Sequence, residues 1–152
     1  MVFAGTFDHL HEGHKHILRI AFRLGETVGI GLTSDAMIEH KTDRKLIQDY
    51  DERLKNLTAF IESECDLTRC DIFSIETREG GADKMKDLDA LIVSDEIGVV
   101  QSAFDINKMR MENGLTRFHI IVIPRVCTSD GRPLSSSRIR RGEVFHEDDL
   151  VY

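Results

Sequence analysis

Short apolar runs punctuate this chain, and several of them end in small polar residues. Val2-Phe3-Ala4 leads into Gly5-Thr6, Val28 to Leu32 into Thr33-Ser34, and Leu88 to Val93 into Ser94-Asp95. Cys70 to Ile75 alternates loosely, and Phe118 to Ile123, the most hydrophobic run, stops at Pro124. Helical patterns fill the gaps. His16 to Leu24 closes at Gly25. Ser34-Asp35 resembles a helix cap. Asp49 precedes Glu52 by three residues, and Leu54, Leu57, Phe60 and Ile61 follow at helical spacing. A long helical stretch ends at Asn113-Gly114. This alternation predicts an α/β chain with a mostly parallel, doubly wound sheet and right-handed crossovers. Continuous apolar strands suit a sheet covered on both faces. In such sheets ligands bind beyond the carboxyl ends of the strands, where strand order reverses. No repeat, low-complexity tract or linker interrupts residues 1–152, so a single domain is expected, with 143–152 as a peripheral tail.

Composition narrows the function classes. The net charge of −7 argues against general nucleic-acid binding. No apolar run approaches a membrane span, and the first residues lack a signal-peptide layout, which reads as a cytoplasmic protein. Cys65, Cys70 and Cys127 are odd in number and form no Cys-x-x-Cys, against a disulfide framework or structural zinc. The charge is uneven, however. Residues 125–141 hold five arginines against Asp130, a local +4 that leaves −11 elsewhere. Such a basic island is a candidate anion site.

Gly5-Thr6-Phe7-Asp8-His9-Leu10-His11-Glu12-Gly13-His14 carries the most chemistry. It runs from strand through glycine turn to helix start, where free backbone N–H groups and partial positive charge favour phosphate. His11 and His14 fall three residues apart on one helical face. His-Glu-Gly-His is one residue short of the zinc-protease helix, and no third ligand is identifiable, so a metal role is disfavoured. Histidines that merely cap a helix are the other bland alternative. Ser135-Ser136-Ser137-Arg138-Ile139-Arg140-Arg141-Gly142 can form a short helix whose hydroxyls and arginines meet the same anion. Lys41, with Lys45, Tyr50 and Arg53, follows the second strand and could close on a phosphorylated acceptor. Asn107 and Arg110 share a helical face, which is either solvated or a nucleotide contact.

Together these residues resemble the nucleotidyltransferase superfamily built on an H-x-G-H motif, related at the motif level to class I aminoacyl-tRNA synthetases. The match is Gly-Thr-Phe-Asp-x-Leu-His-x-Gly-His at 5–14 and the Ser-Ser-Thr-x-Ile-Arg motif at 135–140, with Ser137 for threonine. Within it the chain most resembles the archaeal-type phosphopantetheine adenylyltransferase family. The supporting stretches are Gly31-Leu32-Thr33-Ser34-Asp35, Asp51-Glu52-Arg53, Leu91 to Glu96, Ile106-Asn107 with Arg110, and Asp130 to Ser136. Cytidylyltransferases and archaeal FAD synthetases usually carry Arg-Thr-x-Gly-Ile-Ser-Thr-Thr, where residues 128–135 here read otherwise. The resemblance implies a Rossmann-like fold and transfer of AMP from ATP to 4′-phosphopantetheine in coenzyme A biosynthesis. Mg²⁺ would be held mainly by the triphosphate. Sister activities, FAD synthetase or glycerol-3-phosphate cytidylyltransferase, and a non-catalytic nucleotide-binding module are the alternatives. The roles it implies are His14 on the α-phosphate, His11 on the β- or γ-phosphate, and Thr6 and Lys41 on the attacking phosphate. Ser135, Ser136, Ser137 and Arg140 would take the triphosphate. Gly5, Phe7, Gly13, Asp95, Asn107 and Arg110 complete the nucleotide site, with no protein-held metal. Oligomeric state and feedback by coenzyme A are left open.

Overall fold

The computed structural model describes residues 1–152. In chain order its elements are β1 (Val2–Gly5), α1 (Glu12–Leu24), β2 (Val28–Thr33), α2 (Asp35–Ile38), α3 (Tyr50–Glu64), β3 (Cys70–Ile75), β4 (Ala90–Ser94), α4 (Ile97–Glu112), β5 (His119–Ile123), β6 (Cys127–Thr128), α5 (Ser136–Arg140) and β7 (Leu150–Val151). The first five strands make one parallel sheet in the order β3-β2-β1-β4-β5. The chain winds outward from β1 through β2 to β3, then returns to the other side of β1. Strand order therefore reverses between β1 and β4, which is where a doubly wound sheet opens a crevice.

Pairing fixes which side chains share a face. Phe3, Ile30, Leu32, Ile92 and Ile123 pack against Leu18, Ala21 and Phe22 of α1 and Leu57, Phe60 and Ile61 of α3. Each of these helices presents its apolar residues at three- and four-residue intervals, which explains why they dock. Burying one such large side chain contributes about 1.5–3 kcal/mol. On the opposite face Leu91 and Val93 meet Ala103 and Ile106 of α4, Phe118, and Ala82 and Leu88.

Two expectations from the sequence are corrected here. The β3–β4 connection, residues 76–89, contains turns and no helix, so strands and helices do not alternate throughout. Consequently cover on the second face is uneven: it is packed beside β4 and β5 and over Ile75 at the end of β3, against Gly80. Ala4, on the middle strand, is exposed on that face. Phe118 to Ile123, the most hydrophobic run, becomes an edge strand rather than a buried one, with Val122 45% exposed. The tail also departs from the parallel pattern: β7 pairs antiparallel with β6 through Thr128 and Leu150.

Candidate active site

At the carboxyl end of β1 the chain makes a tight turn. Phe7 and His9 take positive φ angles of 51° and 44°, uncommon for residues with a side chain. The turn delivers His11 to the N-cap position of α1. Its Nδ1 accepts from the Gly13 N–H at 3.1 Å, and His14 Nδ1 accepts from the His11 N–H at 3.5 Å. The two rings stack, with centroids 3.8 Å apart. Because both Nδ1 atoms accept, each ring proton resides on Nε2, and both imidazoles are left as Nε2–H donors. Burial lowers the His11 pKa to about 4, and burial together with His11 holds His14 well below its ordinary value. Both rings are therefore neutral hydrogen-bond donors at neutral pH. Gly13 leaves room for this stack, since a Cβ there would crowd the His11 ring at 3.0 Å.

Thr6 ends the strand, and its Oγ1 accepts from Lys41 Nζ at 2.8 Å. Partial burial of the ammonium, with Arg140 and Arg53 nearby, lowers the Lys41 pKa. The C-terminal segment approaches from the other side. Ser135 caps α5 by accepting from the Arg138 N–H, and Ser136 Oγ donates to the Asp8 carbonyl at 2.7 Å. Arg140 Nη1 donates to Asp8 Oδ2 at 2.5 Å, while its Nε is buried without a protein partner. A buried guanidinium that keeps an unused donor is suited to an anion.

A cavity of about 630 Å³ joins these parts. Gly5, Thr6, Phe7, His11, Gly13, His14, Lys41, Ser135, Ser136, Ser137 and Arg140 all line it. Three other residues expected at the nucleotide do not. Asp95 is held by Arg125 Nε at 2.7 Å, which lowers its pKa, and lies off the cavity. Asn107 spends both ends of its amide on the Phe118 backbone. Arg110 is fully buried and donates to the carbonyls of Ala82, Met85 and Thr116. Arg138, within the basic island, is likewise consumed by Thr128, Pro133 and Glu143.

Two residues build the site in ways not expected from the sequence: Asp8 had no expected role, and Arg53, expected to close on the acceptor with Lys41, is instead a buried strut. Asp8 is 1% exposed and accepts from both the Gln48 N–H and Arg140, so it straps the turn to two distant segments. Arg53 is fully buried. It donates to the carbonyls of Gln48, Thr6 and Thr33 and to Asp35, fixing the ends of β1 and β2 together. A signal for Arg53 was present: it heads the buried stripe Arg53, Leu57, Phe60, Ile61.

No group of three or more His, Cys, Asp or Glu side chains is placed to hold a metal ion. No helix is long and apolar enough to cross a membrane.

A family model described as cytidylyltransferase-like matches residues 2–142. A phosphopantetheine adenylyltransferase of Thermococcus kodakarensis is 44% identical over 144 residues, spanning 95% of this chain and 86% of the relative. Another, of Methanopyrus kandleri, is 38% identical over 95% of this chain and 89% of its own length. The chain belongs to the cytidylyltransferase-like family, with the phosphopantetheine adenylyltransferases. Among solved structures, a protein of unknown function from Archaeoglobus fulgidus superposes with a TM-score of 0.67 at 28% identity, over 80% of this chain and 87% of that one. A bifunctional NMN adenylyltransferase/ADP ribose pyrophosphatase from Francisella tularensis gives 0.61 at 16% identity, over 92% of this chain and 40% of that one, a likeness of fold alone. In this family member, then, the two motif segments at 5–14 and 135–140 meet at one cavity despite their distance in sequence.

Proposed function

We propose that the protein transfers AMP from ATP to 4′-phosphopantetheine, releasing pyrophosphate and forming dephospho-coenzyme A. One observation carries the reaction type. Two neutral Nε2–H imidazoles and a buried arginine with an unused donor share a cavity with Thr6 and Lys41. The acceptor rests on the phosphopantetheine adenylyltransferases that match nearly the whole chain.

In this reading an oxygen of the acceptor phosphate attacks the α-phosphorus of ATP, and the bond to the bridging oxygen of pyrophosphate breaks in line. No covalent enzyme intermediate forms, so the protein contributes positioning and charge stabilisation. Thr6 and Lys41 hold the attacking phosphate. His14 donates to the α-phosphate oxygens as charge grows there, and His11 donates to the departing phosphates. Ser136, Ser137 and Arg140 hold the triphosphate. The donor set fits a divalent cation carried by the nucleotide better than one caged by the protein, because Asp8 is already committed to Gln48 and Arg140. Mg²⁺ arriving in this way would offset triphosphate charge. The setting we infer is cytoplasmic.

The test crosses ATP and CTP with 4′-phosphopantetheine, FMN and glycerol 3-phosphate and measures pyrophosphate release. Release with ATP and 4′-phosphopantetheine alone is expected. Release with CTP or another acceptor moves the chain to a sister activity, and binding without release overturns the enzymatic reading.

A further inference from the structure

Ser136, Ser137 and Arg140 line the cavity from a helix, α5, of only five residues. A helix so short has little stability of its own, so its position is set by what it is tied to. In front it meets the motif turn, through Ser136 and Arg140 on Asp8. Behind it the tie is Arg138, which is 9% exposed and does not line the cavity. Arg138 Nη1 donates to Thr128 Oγ1 and to the Pro133 carbonyl, each at 3.0 Å, which joins α5 to the turn after β6. Its Nε donates to Glu143 Oε2 at 2.9 Å, and Nη2 lies 2.8 Å from the same oxygen. The guanidinium also sits over the Phe145 ring, 4.7 Å from its centroid. All three nitrogens are engaged, so Arg138, unlike Arg140, keeps no donor for a phosphate.

The chain after α5 is shaped to bring Glu143 and Phe145 to that point. Gly142 takes a φ of 87°, its N–H donates to the Ile139 carbonyl, and the Glu143 N–H donates to the Arg138 carbonyl at 3.1 Å. This glycine turn closes the helix and reverses the chain, and a side chain at 142 would be strained there. The segment returns as β7, antiparallel to β6, and Tyr152 packs on His16 of α1 with ring centroids 5.2 Å apart. Residues 143–152 thus form a strap from the back of α5, across β6, to the helix that begins beside His11 and carries His14.

We propose that Arg138, Glu143 and Phe145 are positioning residues for the triphosphate. The strap holds Arg138, Arg138 holds α5, and α5 presents Ser136, Ser137 and Arg140 to the nucleotide. The inference deepens the reaction reading above and rests on it. None of the three lines the cavity, so each acts through α5. The acceptor side is built separately: Thr6 ends β1, Lys41 follows α2, and the two bond to each other. Loosening the strap should therefore weaken ATP and spare the acceptor.

The full-length protein is assayed for pyrophosphate release with ATP and 4′-phosphopantetheine, and binding of ATP with Mg²⁺ is measured separately by calorimetry. Glu143→Gln removes the charge on Arg138 and keeps the shape, and Phe145→Ala removes the ring. Each tie is worth up to roughly fivefold. The double variant is expected to raise KM and Kd for ATP about five- to twentyfold, with KM for the acceptor within about twofold. Phe145→Tyr, which restores the ring, is expected to keep the parent affinity. Unfolding curves verify folding. Both positions are partly exposed, and the single variants carry the same comparison at about two- to fivefold if the double variant does not fold. Unchanged ATP affinity in folded variants, or equal rises for ATP and acceptor, overturns the strap and leaves the reaction standing. Phe145→Tyr as weak as Phe145→Ala overturns it too. No pyrophosphate release by the parent protein overturns the reaction reading, and no binding of ATP by that protein overturns this inference with it.

Discussion

The histidine pair is the sharpest feature at the scale of single residues. Two backbone N–H groups fix both tautomers, and stacking with burial keeps both rings uncharged. A donor that acts mainly in the transition state is typically worth ~10²–10³ in turnover. His14→Ala should lose at least that factor in kcat with little change in the unfolding midpoint, and near-normal kcat would remove His14 from the mechanism. The same burial couples the site to pH. His11 is held at about 4 when folded and returns toward its ordinary value of 6.5 when unfolded. Between those values the unfolded chain binds the proton and the folded chain does not. Stability from the neutral ring is thus complete above 6.5 and is lost as pH falls toward 4. His11→Asn can still cap the helix but cannot titrate. Its melting temperature should fall less than that of the parent between pH 6.5 and 4, leaving the share due to His14. Parallel curves in that window would contradict the assignment.

At the scale of elements, periodicity made much of the fold legible. The strands read as apolar runs and the helices as capped amphipathic segments because burial on two faces demands those patterns. The misreadings have physical causes. A helix was expected in every crossover, yet residues 76–89, with Gly80-Gly81 at positive φ, make turns instead. Asn107 and Arg110 share a helical face, as expected, but Ala103 and Ile106 share it too and are buried. That stripe is the inward one, so Asn107 spends its amide on Phe118 and Arg110 gives Nε and Nη1 to backbone carbonyls, with only its Nη2 left unpaired and away from the cavity. Arg53 follows the same logic with a different outcome, because the carbonyls it reaches include that of Thr6. Arg53→Lys keeps the charge but loses the planar fork that spans Gln48, Thr6, Thr33 and Asp35. Buried donors and acceptors left unmatched cost about 1–3 kcal/mol each. Urea unfolding should therefore show a loss of about 2–4 kcal/mol, and KM for the acceptor should rise more than KM for ATP as the Thr6–Lys41 contact loosens. A variant with unaltered stability would refute this role.

Across the whole molecule, the site is assembled from the two ends of the chain at the switch point between β1 and β4. Asp8 is the clasp: its carbonyl takes Ser136 and its carboxylate takes Arg140, partners 128 and 132 residues away. A ligand spanning the histidines and α5 would tie the same ends together and would bind the folded state alone. Pyrophosphate at 100 times its dissociation constant should then add about 2.7 kcal/mol. At about 2–4 °C per kcal/mol for a domain of this size, the melting temperature should rise by roughly 5–10 °C. The geometry divides the two phosphate positions. Arg140, with its unused Nε donor, lies on the α5 side, and Lys41 lies with Thr6 on the acceptor side. Arg140→Met should therefore lose most of the pyrophosphate shift, while Lys41→Met should keep it and lose acceptor binding instead. Equal losses in the two variants would mean that a single undivided anion site, rather than separate triphosphate and acceptor ends, occupies the crevice.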